Sequence, residues 1–476
     1  MLNKNKYSIH HIGGRRATSS LKHDFFQKES LWTFYDADKS CLEQIKSKTD
    51  EKITQVLPYC LFSKKQQVEF NINVDPTTNS IFDLNCKFKE LYLDHDYPLY
   101  GPMDFRLGDT VKNIKKIELS CTSMDLLAQD NDFIAPDILS IDAQGASYDV
   151  LKGSINCLKS KTIAVSCEAE FVPIYEGQKL FGDVANFLND NGFIFCCFLK
   201  FGKGSMYRES VGLRGDGFQT YADTFFLKDI SAILEESSGQ EAIIRLYKTA
   251  YASLVYGYTE YAIRSLRSAK ELPSCDETEN IPYKKLLDSF YEIADATEYK
   301  MLQSFDEVFP QNANLRRFSK NQDEVDHDSY QRLLDVLDVL TKKAIAEDVP
   351  NILVISYARF NQKISTQIKS TDRVQYFFDN AIPDSDDCPA NKITGVPKNS
   401  FVLITASHKN SEIMEQLKEL GTPQNNIFVT GHWVPVASPE TSKIESFLYE
   451  NGFEMVANLL KDKRKKQNYE RNPLLP

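Results

Sequence analysis

The stretch that decides the fold runs from Asp137 to Gly153 and resumes at Ser166. It reads Asp-Ile-Leu-Ser-Ile-Asp-Ala-Gln-Gly-Ala-Ser-Tyr-Asp-Val-Leu-Lys-Gly, then Ser-Cys-Glu-Ala-Glu-Phe-Val-Pro-Ile-Tyr-Glu-Gly-Gln up to Gln178. One short apolar run ends in a carboxylate, Asp142. A helical stretch follows, and a second apolar run ends in Glu168 and Glu170. In an open parallel sheet ligands gather beyond the carboxyl ends of the strands. Two neighbouring strands therefore aim acids at one crevice.

The rest of the chain fits around that crevice as alternating strands and helices, the pattern of a doubly wound sheet. Tyr7 to Ile12 predicts a strand, followed by Gly13 and Gly14, which let backbone approach a nucleotide closely. Leu31 to Tyr35 predicts a second strand closed by Asp36, some twenty residues past the glycines, where an acid accepts hydrogen bonds from ribose hydroxyls. The alternative role for Asp36 is to cap the helix that starts near Asp38. Tyr59 to Ser63 predicts another strand, and Leu61 and Phe62 are the apolar wall expected for a flat base. Val68 to Val74 alternates like an antiparallel arm. Tyr221 to Leu227 predicts the last strand of the front domain.

Asp142-Ala143-Gln144-Gly145 with Leu151-Lys152-Gly153, and Pro173-x-Tyr175-Glu176-Gly177-Gln178 behind it, resemble the FkbM-type family of S-adenosylmethionine-dependent methyltransferases. The resemblance spans roughly residues 7 to 228. It implies a Rossmann-like methyltransferase domain, S-adenosyl-L-methionine as cofactor, and transfer of a methyl group to a hydroxyl of a sugar in a glycan or glycolipid. Cofactor contacts are expected from Gly13, Gly14, Asp36, Leu61, Phe62 and Asp142. Catalytic groups are expected at Asp142, Glu168 and His11, and acceptor contacts at Glu170, Tyr175 and Glu176. His11, Ala17, Gln144 and Ser147 depart from the family pattern, three of them where it has acids. A methyltransferase fold serving as a binding or assembly module is therefore the second reading. A nicotinamide-dependent oxidoreductase fits poorly, because the first loop lacks the three-glycine fingerprint.

At 476 residues, 42% apolar and 26% charged, the chain predicts a globular protein of two or three domains. The expected order is α/β: a methyltransferase domain at 1–230, a helical middle segment at 231–307 with one tetratricopeptide-like hairpin, a linker at 308–328, and a second, smaller Rossmann-like domain at 329–476. In that last domain the strands are expected near Asn351, Val374, Phe401 and Ile427. The formal charge of -11 argues against a nucleic-acid partner. No run has the length of a membrane span, and the polar opening does not read as a secretory signal, so a cytoplasmic protein is expected. The ten cysteines show no metal-ligand spacing and are expected reduced. Asp142 and Glu168 could share a magnesium ion, but the sequence names no further ligand. The basic run from Lys461 to Lys466 would suit a peripheral contact with anionic lipid headgroups.

Overall fold

In the computed structural model, the described residues are 6–13, 23–26, 30–48, 54–97, 101–130, 132–207, 216–273, 281–295, 303–304, 336–357, 374–379, 395–396, 398–404, 416–429 and 441–469. The chain divides into two units, Met1–Glu292 and Ile293–Pro476.

The first unit is built on a sheet whose centre is parallel. Its strands are β1 (Tyr7–Ile12), β2 (Ser30–Tyr35), β3 (Thr54–Leu57), β9 (Ile138–Ile141), β10 (Ala164–Glu170), β11 (Phe193–Ser205) and β12 (Phe218–Lys228), extended by the hairpin β6 (Tyr92–Tyr97) and β7 (Gly101–Arg106). Their order is β3-β2-β1-β9-β10-β12-β11-β6-β7. The strands from β3 to β10 run parallel, and β12 runs antiparallel to both its neighbours. The order reverses between β1 and β9, so a crevice opens beyond their carboxyl ends, where Gly13 and Asp142 follow directly. Beside it stands a three-stranded sheet, β4 (Cys60–Leu61), β8 (Asn113–Thr122) and β5 (Gln66–Asn73), in the order β4-β8-β5. The alternating arm expected at Val68 to Val74 is β5, antiparallel to β8.

Alternate residues of the central strands feed two layers. Leu139, Ile141, Val165 and Cys167 pack with Val150, Leu151, Leu158, Val184 and Leu188, from helices α5 (Ser147–Lys152), α6 (Ile155–Ser160) and α7 (Phe181–Asp190). The other layer is supplied by α9 (Gly239–Val255), α10 (Thr259–Glu271) and α11 (Lys284–Asp295). The segment read as a helical spacer is thus largely built into the first unit. Gly257, at φ +87°, makes the turn between α9 and α10. A buried ion pair fixes α9 to the sheet: Lys248 Nζ lies 2.6 Å from Asp137 Oδ2, both side chains fully buried. Asp137 Oδ2 also accepts from the Ser8 backbone N–H at 2.8 Å, and the ammonium donates to the Lys6 carbonyl at 2.9 Å. Tyr7 donates its hydroxyl to the Lys248 carbonyl and packs on Phe26 and Tyr251.

The second unit contains a five-stranded parallel sheet, β13 (Gln303–Ser304), β17 (Ile427–Val429), β16 (Ser400–Ile404), β14 (Asn351–Tyr357) and β15 (Val374–Asp379), in that spatial order. Four of these strands lie where the apolar runs predict them; β13 carries no such signal. Gly421, at φ +69°, ends the helix before β17, as a C-cap glycine does. The expected linker at 308–328 lies outside the described residues.

Removing one partner of a fully buried pair leaves an uncompensated charge. Lys248→Met is expected to cost the first unit about 3–5 kcal/mol in urea unfolding. A loss below about 1 kcal/mol would show that the pair does not anchor α9.

Candidate active site

Two clefts open at the strand ends and share a wall. One is lined by Ile12, Gly13, Asp36, Leu61, Ile81 and Asp142, with Tyr59, Cys60, Thr77, Asn79 and Gln144 among the other walls. The other is lined by Asp75, Asp142, Glu168, Glu170, Tyr175 and Tyr221, again with Thr77 and Gln144. Asp142, Gln144 and Thr77 therefore stand between the two. None of the described residues lining either cleft is lysine or arginine.

The first cleft exists because of how β1 ends. Gly13 adopts φ +91°, and a Cβ there would lie 1.8 Å from the Asp142 carbonyl oxygen. Only glycine permits that approach. The Gly13 N–H donates to the Tyr35 carbonyl at 3.1 Å, and the Asp142 N–H to the Ile12 carbonyl at 2.9 Å, which ties the ends of β2, β1 and β9 together. Asp36 follows β2 and accepts the Asp38 backbone N–H on Oδ1 at 2.8 Å. It both lines the cleft and turns the chain into helix α2 (Lys39–Lys48). The side chain thus makes a turn onto the residue before the helix, rather than capping the N–H groups of the helix's first turn, and lines the cleft as well.

The second cleft is organised by Gln144. Its backbone is left-handed, at φ +43°, and its carbonyl accepts the Ser80 hydroxyl at 2.7 Å. The side-chain Nε2 donates to Asp142 Oδ1 at 2.7 Å and to Glu168 Oε1 at 3.1 Å, while Oε1 accepts the Tyr175 hydroxyl at 3.1 Å. An amide here bridges two carboxylates that an acid would repel. Gly145, at φ +89°, gives Tyr175 room, since a Cβ would lie 2.7 Å from its ring. Ser147, another departure from the family pattern, donates to the Glu168 carbonyl at 2.7 Å and so fixes α5 to β10.

Strand register completes the acid cluster. Glu168 pairs with Asp223 and Glu170 with Tyr221 across β10 and β12. Burial pushes the Glu170 carboxyl up to about 8, with Asp142 adding to the shift. Asp223 is pushed up to about 6, again by burial first and Asp142 second. Burial therefore favours the protonated form of Glu170 at neutral pH, as it does for other buried carboxylic acids. No group of three or more His, Cys, Asp and Glu among the described residues has the arrangement of a metal site.

The expected residues divide clearly. Gly13, Asp36, Leu61 and Asp142 line the first cleft, and Asp142, Glu168, Glu170 and Tyr175 the second. Three do not come to the site. His11 lies in neither cleft: it is buried beside Phe34, its Nδ1 bonded to the Ser140 hydroxyl at 2.8 Å, and burial lowers its pKa to about 4. The strand alternation that brings Ile12 to the cleft turns His11 the other way. Phe62 lies past the end of β4, held by its N–H to the Thr122 carbonyl, and the wall is completed by Tyr59 and Cys60 instead. Glu176 is exposed, and its backbone N–H braces the loop on the Asp83 carbonyl. Gly14 lies outside the described residues. Tyr59, Cys60, Thr77, Asn79, Tyr221 and Asp223 escaped the sequence reading. Only the alternation Tyr221-Ala222-Asp223 carried a signal, and that needs the register to be read.

Residues 52–195 are similar to the family model described as the methyltransferase FkbM domain. The match covers the acid-bearing strand ends and begins after Gly13 and Asp36. Among solved structures, methyltransferase FkbM from Methylobacillus flagellatus KT aligns at 10% identity and TM-score 0.26, over 48% of this chain and 44% of that one. Precorrin-6y C5,15-methyltransferase from Geobacter metallireducens GS-15 aligns at 9% identity and TM-score 0.22, over 47% and 81%. The chain thus spans less than half of the first structure's length. No curated protein matches the sequence.

The Glu170 shift has a sign that stability measurements can read. The unfolded chain's glutamate loses its proton near 4.5, whereas the folded carboxyl keeps it up to about 8. Stability from the protonated form is complete below the lower value and is lost as pH rises through the upper one. The wild type is expected to lose stability from pH 5 to 8 relative to Glu170→Gln, by at most about 1.4 kcal/mol per pH unit. Parallel curves in urea unfolding would place an ordinary carboxylate there.

Proposed function

We propose that the first unit is an S-adenosylmethionine-dependent O-methyltransferase whose acceptor is a hydroxyl of a sugar in a glycan or glycolipid. The observation that carries this reading is the pair of clefts meeting at Asp142, one with glycine backbone, a carboxylate and apolar walls and one rich in hydrogen-bonding groups. Gly13 offers backbone at close range, Asp36 a carboxylate for ribose hydroxyls, and Leu61 and Ile81 apolar surface for a base. Three aspartates and no basic side chain among the described lining residues suit a nucleoside without phosphates that carries positive charge. A dinucleotide's pyrophosphate would meet only like charge from these described residues. When bound, S-adenosylmethionine supplies a methyl group on a positively charged sulfur.

The chain's own residues then divide the remaining work. Asp142, at the junction, accepts the proton of the acceptor hydroxyl. Gln144 holds Asp142 and Glu168 in one orientation, which limits the motion between donor and acceptor that methyl transfer penalises. Glu170, protonated, donates to a sugar hydroxyl, and Tyr175 and Tyr221 offer ring edges and hydroxyls to the acceptor. A glycolipid acceptor would give the basic run in the helix Glu454–Tyr469 a place at an anionic lipid surface. The second reading, a binding module, draws on the same Gln144, whose amide occupies one oxygen of each of two carboxylates.

Calorimetric titration with S-adenosylmethionine and S-adenosylhomocysteine is expected to show saturable binding. Asp36→Ala is expected to weaken it about tenfold to a hundredfold, the loss of one charged hydrogen-bonding group. Asp142→Asn is expected to keep its affinity for S-adenosylhomocysteine, which lacks the positive charge, and to lose methyl transfer, followed as S-adenosylhomocysteine release with a panel of glycans. Flat titrations of folded protein would overturn the reading. Normal binding with no transfer to any acceptor by the wild type would favour the module.

A further inference from the structure

Two thiols, one in the wall of the first cleft and one behind it, are not used by the reading above. Cys60 and Cys121 are register partners on the parallel strands β4 and β8, and their Sγ atoms lie 3.0 Å apart. Both are free cysteines. Cys60 is half-buried and lines the cleft, while Cys121 is only 1% exposed behind it. Paired strands lie about 4.8 Å apart, inside the span of about 4.4–6.8 Å between Cα atoms that a disulfide bridges. The backbone is already placed for the bond.

We propose that Cys60 and Cys121 form a redox-modification site, oxidised to a disulfide by a hydroperoxide that enters through the cleft. The Cys60 sulfur attacks the O–O bond of hydrogen peroxide, expels hydroxide and becomes a sulfenic acid. The Cys121 sulfur attacks that sulfur and expels a second hydroxide as the S–S bond forms. The two thiol protons convert both hydroxides to water, so two thiols lose two electrons and one peroxide gains them. The bond locks β4 to β8 and draws the Cys60 side chain away from the cleft. The hydrogen bond with Cys121, burial and nearby Asp36 all push the Cys60 thiol up, while the same bond lowers Cys121, so access from the cleft rather than thiolate character makes Cys60 the first to react. The reaction is therefore slow at neutral pH and quickens as pH rises.

The test is peptide mapping by mass spectrometry, without reduction, of the folded full chain treated with hydrogen peroxide. A Cys60–Cys121 crosslink is expected to exceed any other cysteine pairing about tenfold and to disappear with dithiothreitol. Cys121→Ser is expected to accumulate sulfenic acid at Cys60, trapped by dimedone. Should that variant fail to fold, the wild-type map decides alone. Oxidation at exposed Cys86 or elsewhere with no Cys60–Cys121 crosslink would overturn the proposal. Neither result bears on methyl transfer, which the calorimetric titrations read separately.

Discussion

The approach of Gly13 to the Asp142 carbonyl is the constraint on which the site depends. At the reversal of strand order, β1 and β9 leave the sheet side by side, and their next residues must pass within backbone contact. A side chain at position 13 would force them apart. With glycine there, Asp142 is held at the floor of a crevice rather than at its rim. Both clefts take a wall from that one residue.

Around this point the chain spends polar interactions to hold charge in place. Gln144 ties Asp142 to Glu168 and takes the Tyr175 hydroxyl, so three elements distant in sequence share one amide. Glu170 stays protonated where a fourth negative charge would be most costly. On the other face the Asp137–Lys248 pair does a different job: it neutralises an acid at the start of β9 and docks α9. The same strand thus carries a structural aspartate at its entry and a cleft-lining one at its exit.

Much of this was legible in the sequence, because its signals are local. Apolar runs placed β1, β2, β9, β10 and the four main strands of the second unit, and acids close β2, β9, β10 and β15. The departures from the family pattern were also visible, but not what they do. Gln144 read as a lost charge, and the structure makes it the bridge between two charges that remain. His11 read as a proton acceptor because it precedes the glycine turn, yet alternation along β1 buries it. Tyr221, Asp223 and the Cys60–Cys121 contact depend on register between strands far apart in the chain. No local pattern encodes that.

The account rests on a nucleoside lying between Gly13, Asp36 and Leu61 with its reactive end at Asp142. A crystal structure of the chain with S-adenosylhomocysteine tests this most directly. The ribose hydroxyls are predicted to meet the Asp36 carboxylate, with the sulfur facing Asp142 and the second cleft left open for an acceptor. Adenosine bound elsewhere, or a sulfur turned away from Asp142, would contradict it.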